Sequence, residues 1–342
     1  MYNGKRIRVL VVDDSMVFRE ILSKSLSSDP LIDVVATAFD PFDARDKIIA
    51  FEPDVMTCDV EMPKMNGIEF IRRLMPQYPL PVVVVSTVSE AVFNAMDAGA
   101  VDFVTKPDMR SVKSMEAFIS ELILKIKIAS IANVSNNKTK QAFLKITGKA
   151  SADTGNKIIA IGASTGGTEA LSHLLKLLPT DIPGIVIVQH IPPVFSRMFA
   201  QRLNNSTQFR VKEAQTGDYI EKGLVLIAPG DMHMRIKSVG DRFKAEVFQG
   251  EKVNGHCPSV DVLFESVAKE CGSNAIGIIL TGMGYDGAKG LLSMRKKGAR
   301  TLGQDERSSV VYGMPKVAFN IGAVERQVPL DELPKIIFSL LR

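Results

Sequence analysis

The chain has 342 residues, of which 46% are hydrophobic and 23% are charged, and its formal net charge is +4. This length and balance exclude general disorder and predict a soluble protein of two domains. Its three cysteines form no disulfide framework or metal spacing, and no stretch has the pattern of a signal peptide or a membrane span. We therefore expect a cytoplasmic protein without direct membrane insertion.

The first 125 residues alternate short apolar runs with amphipathic stretches of helical length. The runs lie at 7–12, 33–38, 54–59, 81–87 and 102–107. Five apolar strands interleaved with helices predict a parallel sheet that is covered on both faces. The ligand site of such a sheet lies beyond the carboxyl ends of its strands. The polar residues at these ends are Asp13, Asp14, Asp59, Ser86 and Lys106.

Three carboxylates brought to one sheet edge repel one another unless a cation joins them. Asp13, Asp14 and Asp59 offer only oxygen ligands, which suit Mg²⁺, and Lys106 adds a positive charge to the same cluster. We therefore predict a magnesium site at this edge, with Asp59 as a phosphoryl acceptor. Taken alone, any one of these carboxylates is more often an ordinary turn or capping residue.

Residues 5–125 resemble a response-regulator receiver domain. The acidic pair, the segment CDVEMPKMNG at 58–67, Ser86, Phe103 and the Lys106–Pro107 pair carry this resemblance. It implies a flavodoxin-like (βα)5 fold and transient phosphorylation of Asp59 by a histidine kinase or a small phosphodonor. It also implies that Ser86, Phe103 and Lys106 form the switch that responds to the added charge. A degenerate receiver that does not switch is the alternative.

A polar segment separates this part of the chain from the rest. Residues 133–156 are rich in Asn, Ser, Lys and Thr, so we predict a linker over 126–156 between domains at 1–125 and 157–342. The first domain carries 14 basic and 19 acidic side chains, and the second carries 23 and 18. Because the basic second domain shows neither a long Lys/Arg run nor room for a helix-turn-helix, we expect no nucleic-acid partner.

The second domain also alternates strand-like and helix-like segments. Apolar runs at 157–164, 182–190, 223–230 and 275–284 predict strands, and a hairpin is predicted within 223–248. The pattern indicates a second doubly wound, mainly parallel α/β domain. Its functional residues should therefore follow the carboxyl ends of strands.

The segment GASTGG at 162–167 follows the first of these strands. It lacks the lysine of a phosphate-binding Walker loop, and Ser164 stands where a dinucleotide fingerprint needs its second glycine. It does match GxSxG, the strand–turn–helix elbow that exposes a nucleophilic serine. Because small residues at any tight turn satisfy this pattern, a purely structural turn remains the alternative.

A nucleophilic serine needs a base, and the base needs an acid that orients it. Of the four histidines, His173, His233 and His256 lie within a helix, after a hairpin strand and before a helix. His190 ends the strand that we expect beside the Ser164 strand, so it is the best candidate base. Asp286, in TGMGYDG, follows a further strand and is the candidate acid. The amides of Met283 and Thr165 are candidate oxyanion donors.

The order Ser164, His190, Asp286 differs from that of α/β-hydrolases, in which the acid precedes the histidine. Together with GASTGG, the segments QHIPPVFS, VLIAPGDMHM, HCPSVDVLF and TGMGYDGAKGL resemble the catalytic domain of the chemotaxis protein-glutamate methylesterases of the CheB type. The receiver, linker and catalytic domain of that family extend the resemblance to nearly the whole chain. One departure is Cys257, where the family commonly has arginine.

The resemblance implies hydrolysis of L-glutamate γ-methyl esters on methyl-accepting chemotaxis receptors, with release of methanol, and deamidation of receptor glutamines. It makes Ser164 the nucleophile, His190 the general base, Asp286 its orienting carboxylate and Met283 an oxyanion donor. It assigns Mg²⁺ to the receiver and no cofactor to the esterase, and implies that the unphosphorylated receiver covers the esterase cleft. A non-catalytic adaptor and a hydrolase of another acyl substrate are the alternatives.

Overall fold

The computed structural model describes residues 5–87, 89–107, 112–134 and 157–342. The chain divides into two compact units, Met1–Lys140 and Gln141–Arg342. Within the described ranges, no helix is both long enough and apolar enough to cross a lipid bilayer.

The first unit is a five-stranded parallel sheet in the order β2-β1-β3-β4-β5. Its strands are β1 (Ile7–Val12), β2 (Ile32–Ala38), β3 (Val55–Asp59), β4 (Val82–Ser86) and β5 (Asp102–Thr105). Its helices are α1 (Met16–Leu26), α2 (Pro41–Phe51), α3 (Gly67–Leu74), α4 (Ser89–Asp97) and α5 (Val112–Ala129). This is the flavodoxin-like arrangement, and each strand begins and ends within two residues of the predicted run.

Short polar side chains cap the N-termini of three of these helices, each in the loop after a strand. Ser15, Asp40 and Asn66 each accept a hydrogen bond from a backbone N–H in the first turn of α1, α2 and α3. Such caps satisfy N–H groups that the helix itself leaves unpaired. Helix α5 continues to Ala129, past the boundary predicted at residue 125. Residues 135–156 of the predicted linker lie outside the described residues.

The second unit is a seven-stranded parallel sheet in the order β14-β13-β12-β6-β7-β9-β8, with a separate hairpin β10-β11. Its strands are β6 (Ile158–Ala163), β7 (Ile185–Gln189), β8 (Arg210–Glu213), β9 (Leu224–Ile227), β10 (His233–Val239), β11 (Arg242–Phe248), β12 (Ala275–Ile279), β13 (Arg300–Gln304) and β14 (Arg326–Val328). Its helices are α6 (Gly167–Leu177), α7 (Pro193–Ser206), α8 (Val260–Glu270), α9 (Ala288–Lys296), α10 (Met314–Asn320) and α11 (Leu333–Leu340). The predicted doubly wound α/β class is confirmed, and so is the hairpin.

The sheet order places a crevice between β6 and β12. From β6 the chain builds the sheet outwards through β7, and it later returns to the other side of β6 with β12. The loops that follow these two neighbouring strands therefore leave the sheet in opposite directions, which opens a ligand crevice at their carboxyl ends. Ser164 follows β6, and Met283 and Asp286 follow β12.

Three strands of this sheet were not predicted from the sequence. The edge strand β8 reads RVKE, the other edge strand β14 has only three residues, and β13 reads RTLGQ. Strands that are short or contain polar residues, as all three do, lack the continuous apolar run that marks a buried strand. The apolar core nevertheless extends to this part of the sheet, because Leu302 and Val328 are buried.

Candidate active site

Ser164 lies at a strand–turn–helix elbow between β6 and α6. Its backbone N–H donates to the Thr281 carbonyl at 3.0 Å, and the Gly167 N–H donates back to the Ser164 carbonyl at 2.7 Å. Gly166, which ends the turn, has a φ of +75°, a left-handed conformation that glycine adopts without strain. The side chain of Ser164 is therefore carried on a turn that backbone hydrogen bonds hold on both sides.

The first glycine of the GxSxG pattern permits close packing behind the elbow. A Cβ atom on Gly162 would lie 2.2 Å from Cγ1 of Val260, the first residue of α8. Glycine at this position thus lets the N-terminus of α8 approach β6. That approach matters because the same helix end contacts Asp286.

His190 leaves the sheet directly beside the elbow. Strand β7 pairs with β6, so that Gln189 is opposite Ala163, and the His190 N–H donates to the Ala163 carbonyl at 3.1 Å. The buried Gln189 carboxamide donates through Nε2 to the carbonyls of Ser164 at 2.9 Å and His190 at 3.2 Å. Gln189 therefore ties together the backbones of the predicted nucleophile and base. The only indication of this role in the sequence is that Gln189 is a polar residue at the end of an apolar run.

Asp286 is bonded to His190 and is buried with it. His190 Nε2 lies 2.9 Å from Asp286 Oδ2, and the two side chains are 8% and 2% exposed. Because an ionised carboxylate only accepts hydrogen bonds, Nε2 carries a proton, and in the neutral ring the lone pair is then on Nδ1. Nδ1 is buried and accepts no hydrogen bond from the described residues, Ser164 included. The lone pair that a general base needs is thus available at Nδ1.

The carboxylate of Asp286 is also held by the start of α8 and by the loop before it. Its further donors are the backbone N–H groups of Val260 at 2.7 Å and Asp261 at 3.2 Å, Ser259 Oγ at 2.7 Å, and Asn254 Nδ2 at 2.8 Å. Burial raises the pKa of this carboxyl, but the hydrogen bonds from His190, Asn254 and Ser259 outweigh burial and hold the pKa well below its ordinary value. Asp286 therefore stays ionised.

Met283 follows a glycine that lies against the nucleophile. A Cβ atom on Gly282 would come within 2.6 Å of Ser164 Cβ, and the Gly282 carbonyl accepts hydrogen bonds from the N–H groups of Gly313 and Met314. Within the described chain, the Met283 N–H donates to no other residue. The structure thus brings the Met283 amide to the edge of the Ser164 elbow.

Thr281 connects that loop to the elbow from the other side. Its carbonyl accepts the Ser164 N–H, and its Oγ1 donates to the Thr165 carbonyl at 3.0 Å. Thr165 itself is buried immediately after the serine. The two amides predicted as oxyanion donors therefore belong to loops that Thr281 holds together.

Two histidines support the site without having been predicted there. The His256 ring stacks on the His190 ring, with centroids 3.7 Å apart and planes 6° apart. His233 Nε2 donates to the Glu251 carbonyl at 2.8 Å, and its Nδ1 accepts the Ser259 N–H at 3.2 Å. His233 therefore fixes the loop that presents Ser259 to Asp286. His173 pairs with Asp331 elsewhere, as its position within α6 suggested.

The residues of the other predicted site, in the first unit, lie together at the carboxyl ends of its strands. Oxygen atoms of Asp13, Asp14 and Asp59 lie within 4.8 Å of one another, and Lys106 Nζ forms ion pairs with Asp13 at 2.8 Å and with Asp59. Burial raises the pKa of Asp59 despite the hydrogen bond from Lys106. Three carboxylates at this spacing form an oxygen donor set that fits Mg²⁺.

The remaining residues predicted for this site lie on the neighbouring strands. Ser86 ends β4 and Phe103 lies in β5, and both are buried. Lys125 Nζ lies 4.9 Å above the Phe103 ring and donates a hydrogen bond to Asp102 at 3.0 Å. Phe103 is thus in contact with α5, an element that the sequence did not connect to the switch residues.

Comparisons with known proteins agree with this architecture. The CheB methylesterase family model matches residues 159–337, and the response regulator receiver domain model matches residues 9–115. A protein-glutamate methylesterase/protein-glutamine glutaminase 2 of Syntrophomonas wolfei is 58% identical over 98% of each chain. A protein-glutamate methylesterase/protein-glutamine glutaminase of Shigella flexneri is 47% identical over 98% of this chain and 97% of its own.

A solved structure matches the second unit. The crystal structure of the Thermotoga maritima CheB methylesterase catalytic domain is 36% identical, with a TM-score of 0.53, and the match covers 54% of this chain and 98% of that domain. The family resemblance carried by GASTGG and the other four segments is confirmed. The chain belongs to the CheB methylesterase family, in which a receiver domain precedes a protein-glutamate methylesterase domain.

Proposed function

We propose that this protein hydrolyses L-glutamate γ-methyl esters on methyl-accepting chemotaxis receptors and releases methanol. The observation that carries the proposal is the buried His190–Asp286 hydrogen bond of 2.9 Å, formed beside the Ser164 elbow where the sheet order reverses. An oriented base beside a serine on a strand–turn–helix elbow is the arrangement that acyl transfer requires. Membership of the methylesterase family supports this choice of substrate.

In the first step, Ser164 Oγ attacks the γ-carbonyl carbon and His190 takes the serine proton at Nδ1. Asp286 holds the opposite ring nitrogen and stabilises the imidazolium that forms, since its own pKa is well below the ordinary value. His190 then gives the proton to the methoxide, which leaves as methanol. The product is a glutamyl ester of Ser164.

The negative charge that develops on the carbonyl oxygen needs nearby donors. We assign this role to the backbone N–H groups of Met283 and Thr165, which lie on the two loops that Thr281 joins. Fixed amides at this position stabilise the tetrahedral intermediate more than the planar ester. This difference lowers the barrier to attack.

In the second step, His190 Nδ1 takes a proton from water as that water attacks the acyl-enzyme, and it then gives the proton to the departing Ser164 oxygen, which releases glutamate and restores free Ser164. The same two steps convert a glutamine side chain to glutamate when ammonia replaces methanol as the leaving group. Relatives with this full-length architecture carry the name protein-glutamine glutaminase, which supports deamidation as a second reaction.

We further propose that phosphorylation of Asp59 activates the esterase, with a chemotaxis histidine kinase as phosphodonor. Asp13, Asp14 and Asp59 would hold Mg²⁺, which neutralises charge on a transferring phosphoryl group. Ser86, Phe103 and Lys106 are the proposed switch residues, and the receiver, linker and esterase are assigned to 1–125, 126–156 and 157–342. A cytoplasmic location stays a prediction.

Methanol release from methylated receptor tests this proposal. Wild type, Ser164→Ala and the control Ser206→Ala, which changes an exposed serine of α7, are assayed with and without acetyl phosphate and Mg²⁺. We expect wild type and Ser206→Ala to release methanol, faster with phosphodonor, and Ser164→Ala to release none. No release from wild type under any condition would favour a non-catalytic adaptor. Release from small esters alone would indicate a different acyl substrate.

A further inference from the structure

The segment Val253–His256 forms a tight turn against the catalytic base. The N–H of Val253 donates to the His256 carbonyl, and the N–H of His256 donates to the Val253 carbonyl, each at 3.0 Å. Between them, Asn254 and Gly255 have φ values of +54° and +84°. Asparagine and glycine are the residues that adopt consecutive left-handed conformations at the lowest cost, as in a type I′ turn. The turn is therefore defined by its own backbone and its own sequence.

Two side chains of this turn reach the two members of the His190–Asp286 pair. Asn254 Nδ2 donates to Asp286 Oδ1 at 2.8 Å and to Asp261 Oδ2 at 2.7 Å. The ring of His256 lies flat on the ring of His190 at 3.7 Å. One short turn thus contacts both the base and the carboxylate that orients it.

The stacked ring constrains a motion that the hydrogen bond to Asp286 leaves free. That bond fixes the position of His190 Nε2, but it allows the ring to rotate about the line between Nε2 and Oδ2. A parallel ring at van der Waals distance opposes this rotation. The direction of the Nδ1 lone pair, which must point at the serine proton, is thereby fixed.

The charge state of His256 suits this position. Burial and the neighbouring His190 lower the pKa of His256 to about 4, against an opposing effect of Asp286 and a further lowering by Lys252. At neutral pH its ring is therefore uncharged and presents a π face to His190. Such a face attracts the imidazolium that forms during catalysis, whereas a second positive charge would repel it.

We propose that the turn Val253–His256 is a positioning element for the catalytic base, in which His256 sets the plane of the His190 ring by stacking and Asn254 holds Asp286. The proposal rests on the proposed esterase function. His256 acts through His190 and not on the substrate, so its loss should change kcat and leave KM for the receptor unchanged. The face of the ring, and not its nitrogen atoms, should be the feature that matters.

A substitution series at His256 tests this proposal on the full-length protein with methylated receptor. His256→Phe keeps a stacking ring, and His256→Leu keeps much of the volume without one. The control His173→Ala removes a histidine whose hydrogen bond with Asp331 lies outside the site. We expect kcat within about threefold of wild type for His256→Phe and about tenfold lower for His256→Leu, with KM within about twofold for both.

Each other outcome has a defined meaning. If His256→Leu keeps the wild-type kcat, or if His256→Phe loses as much kcat as His256→Leu, stacking does not position the base and the proposal is wrong. A rise in KM without loss of kcat would make His256 a substrate contact and would also overturn it. Absence of methanol release from wild type would instead contradict the esterase function itself.

The other side chain of the turn provides a second test that does not depend on the folding of His256→Leu. Asn254→Gly keeps the left-handed backbone and removes only the side chain that holds Asp286. We expect a lower kcat with unchanged KM, and a thermal midpoint recorded beside the activity separates loss of positioning from loss of folded protein. A wild-type kcat for Asn254→Gly would remove Asn254 from the proposal.

Discussion

Replacing Asp286 by asparagine removes one charge and one acceptor oxygen from a carboxylate that five donors surround. In either orientation, the asparagine NH₂ group faces a backbone N–H that can only donate: Val260 N–H on one side, or Asp261 N–H on the other. At least one buried N–H then loses its acceptor. The site cannot relieve this by turning to water, because the Asp286 side chain is only 2% exposed.

The expected cost has two parts. A buried donor without a partner costs about 1–3 kcal/mol, and loss of the negative charge at the N-terminus of α8 costs about 0.3–1 kcal/mol. We therefore expect the free energy of unfolding of the second unit to fall by about 1–4 kcal/mol. Because the imidazolium of His190 also loses its stabilising partner, we expect kcat to fall by about 10³-fold or more.

The stability is measured by urea unfolding, with hydrogen exchange in peptides from α8 as the signal. The activity is measured as methanol release. The matched control is Asp331→Asn, which alters the partially exposed His173–Asp331 pair of the same unit. A surface pair contributes little, so we expect less than about 1 kcal/mol of destabilisation and normal activity. If Asp286→Asn matched this control in either measurement, the buried network would not have the role derived from its geometry.

Three further predictions address the elbow, the receiver and acid stability. Gly282→Ala places a Cβ atom 2.6 Å from Ser164 Cβ, so we expect about 1–3 kcal/mol of destabilisation by urea unfolding and reduced methanol release; wild-type values would contradict the close packing. Asp59→Asn should abolish activation by acetyl phosphate, whereas the exposed-site control Asp33→Asn should keep it; activation that survives in Asp59→Asn would exclude Asp59 as the acceptor. The folded pKa of Asp286 is lowered, so its stabilisation is present above about pH 4, the unfolded value, and is lost as pH falls through the folded pKa. In urea titrations, the stability difference between wild type and Asp286→Asn should therefore shrink as the pH falls below about 4; a difference that grows over this range would contradict the expected sign.

Much of the fold could be predicted because buried strands and half-buried helices have recognisable patterns of apolar residues. Buried parallel strands such as β4, which reads VVVVS, are apolar up to the last residue, and the alternation of such runs with amphipathic helices indicates a layered α/β sheet. The strands β8 and β14 have no continuous apolar run, because they lie at sheet edges and are polar or very short. Local pattern therefore identified apolar strands better than polar or very short ones.

The residues of the candidate site divide in the same way. Ser164, His190 and Asp286 could be proposed from the sequence because Ser164 and His190 directly follow strands and Asp286 lies in the loop after a third strand, and the ends of parallel strands meet at one edge of the sheet. With only four histidines in the chain, the choice of base was short. The sequence alone thus determined the α/β class and predicted the elbow and the three side chains that we propose for catalysis.

Only the tertiary structure decided how these side chains are oriented. His190 and Asp286 are separated by 96 positions in the chain, and the sheet order is what makes their strands neighbours of β6. The use of Nε2 toward Asp286, the stacking of His256 and the donors at the start of α8 depend on packing between segments that are distant in sequence. Periodicity reports whether a residue is buried, but the partner it meets and the direction of its lone pair are set by contacts that form only when the whole sheet is assembled.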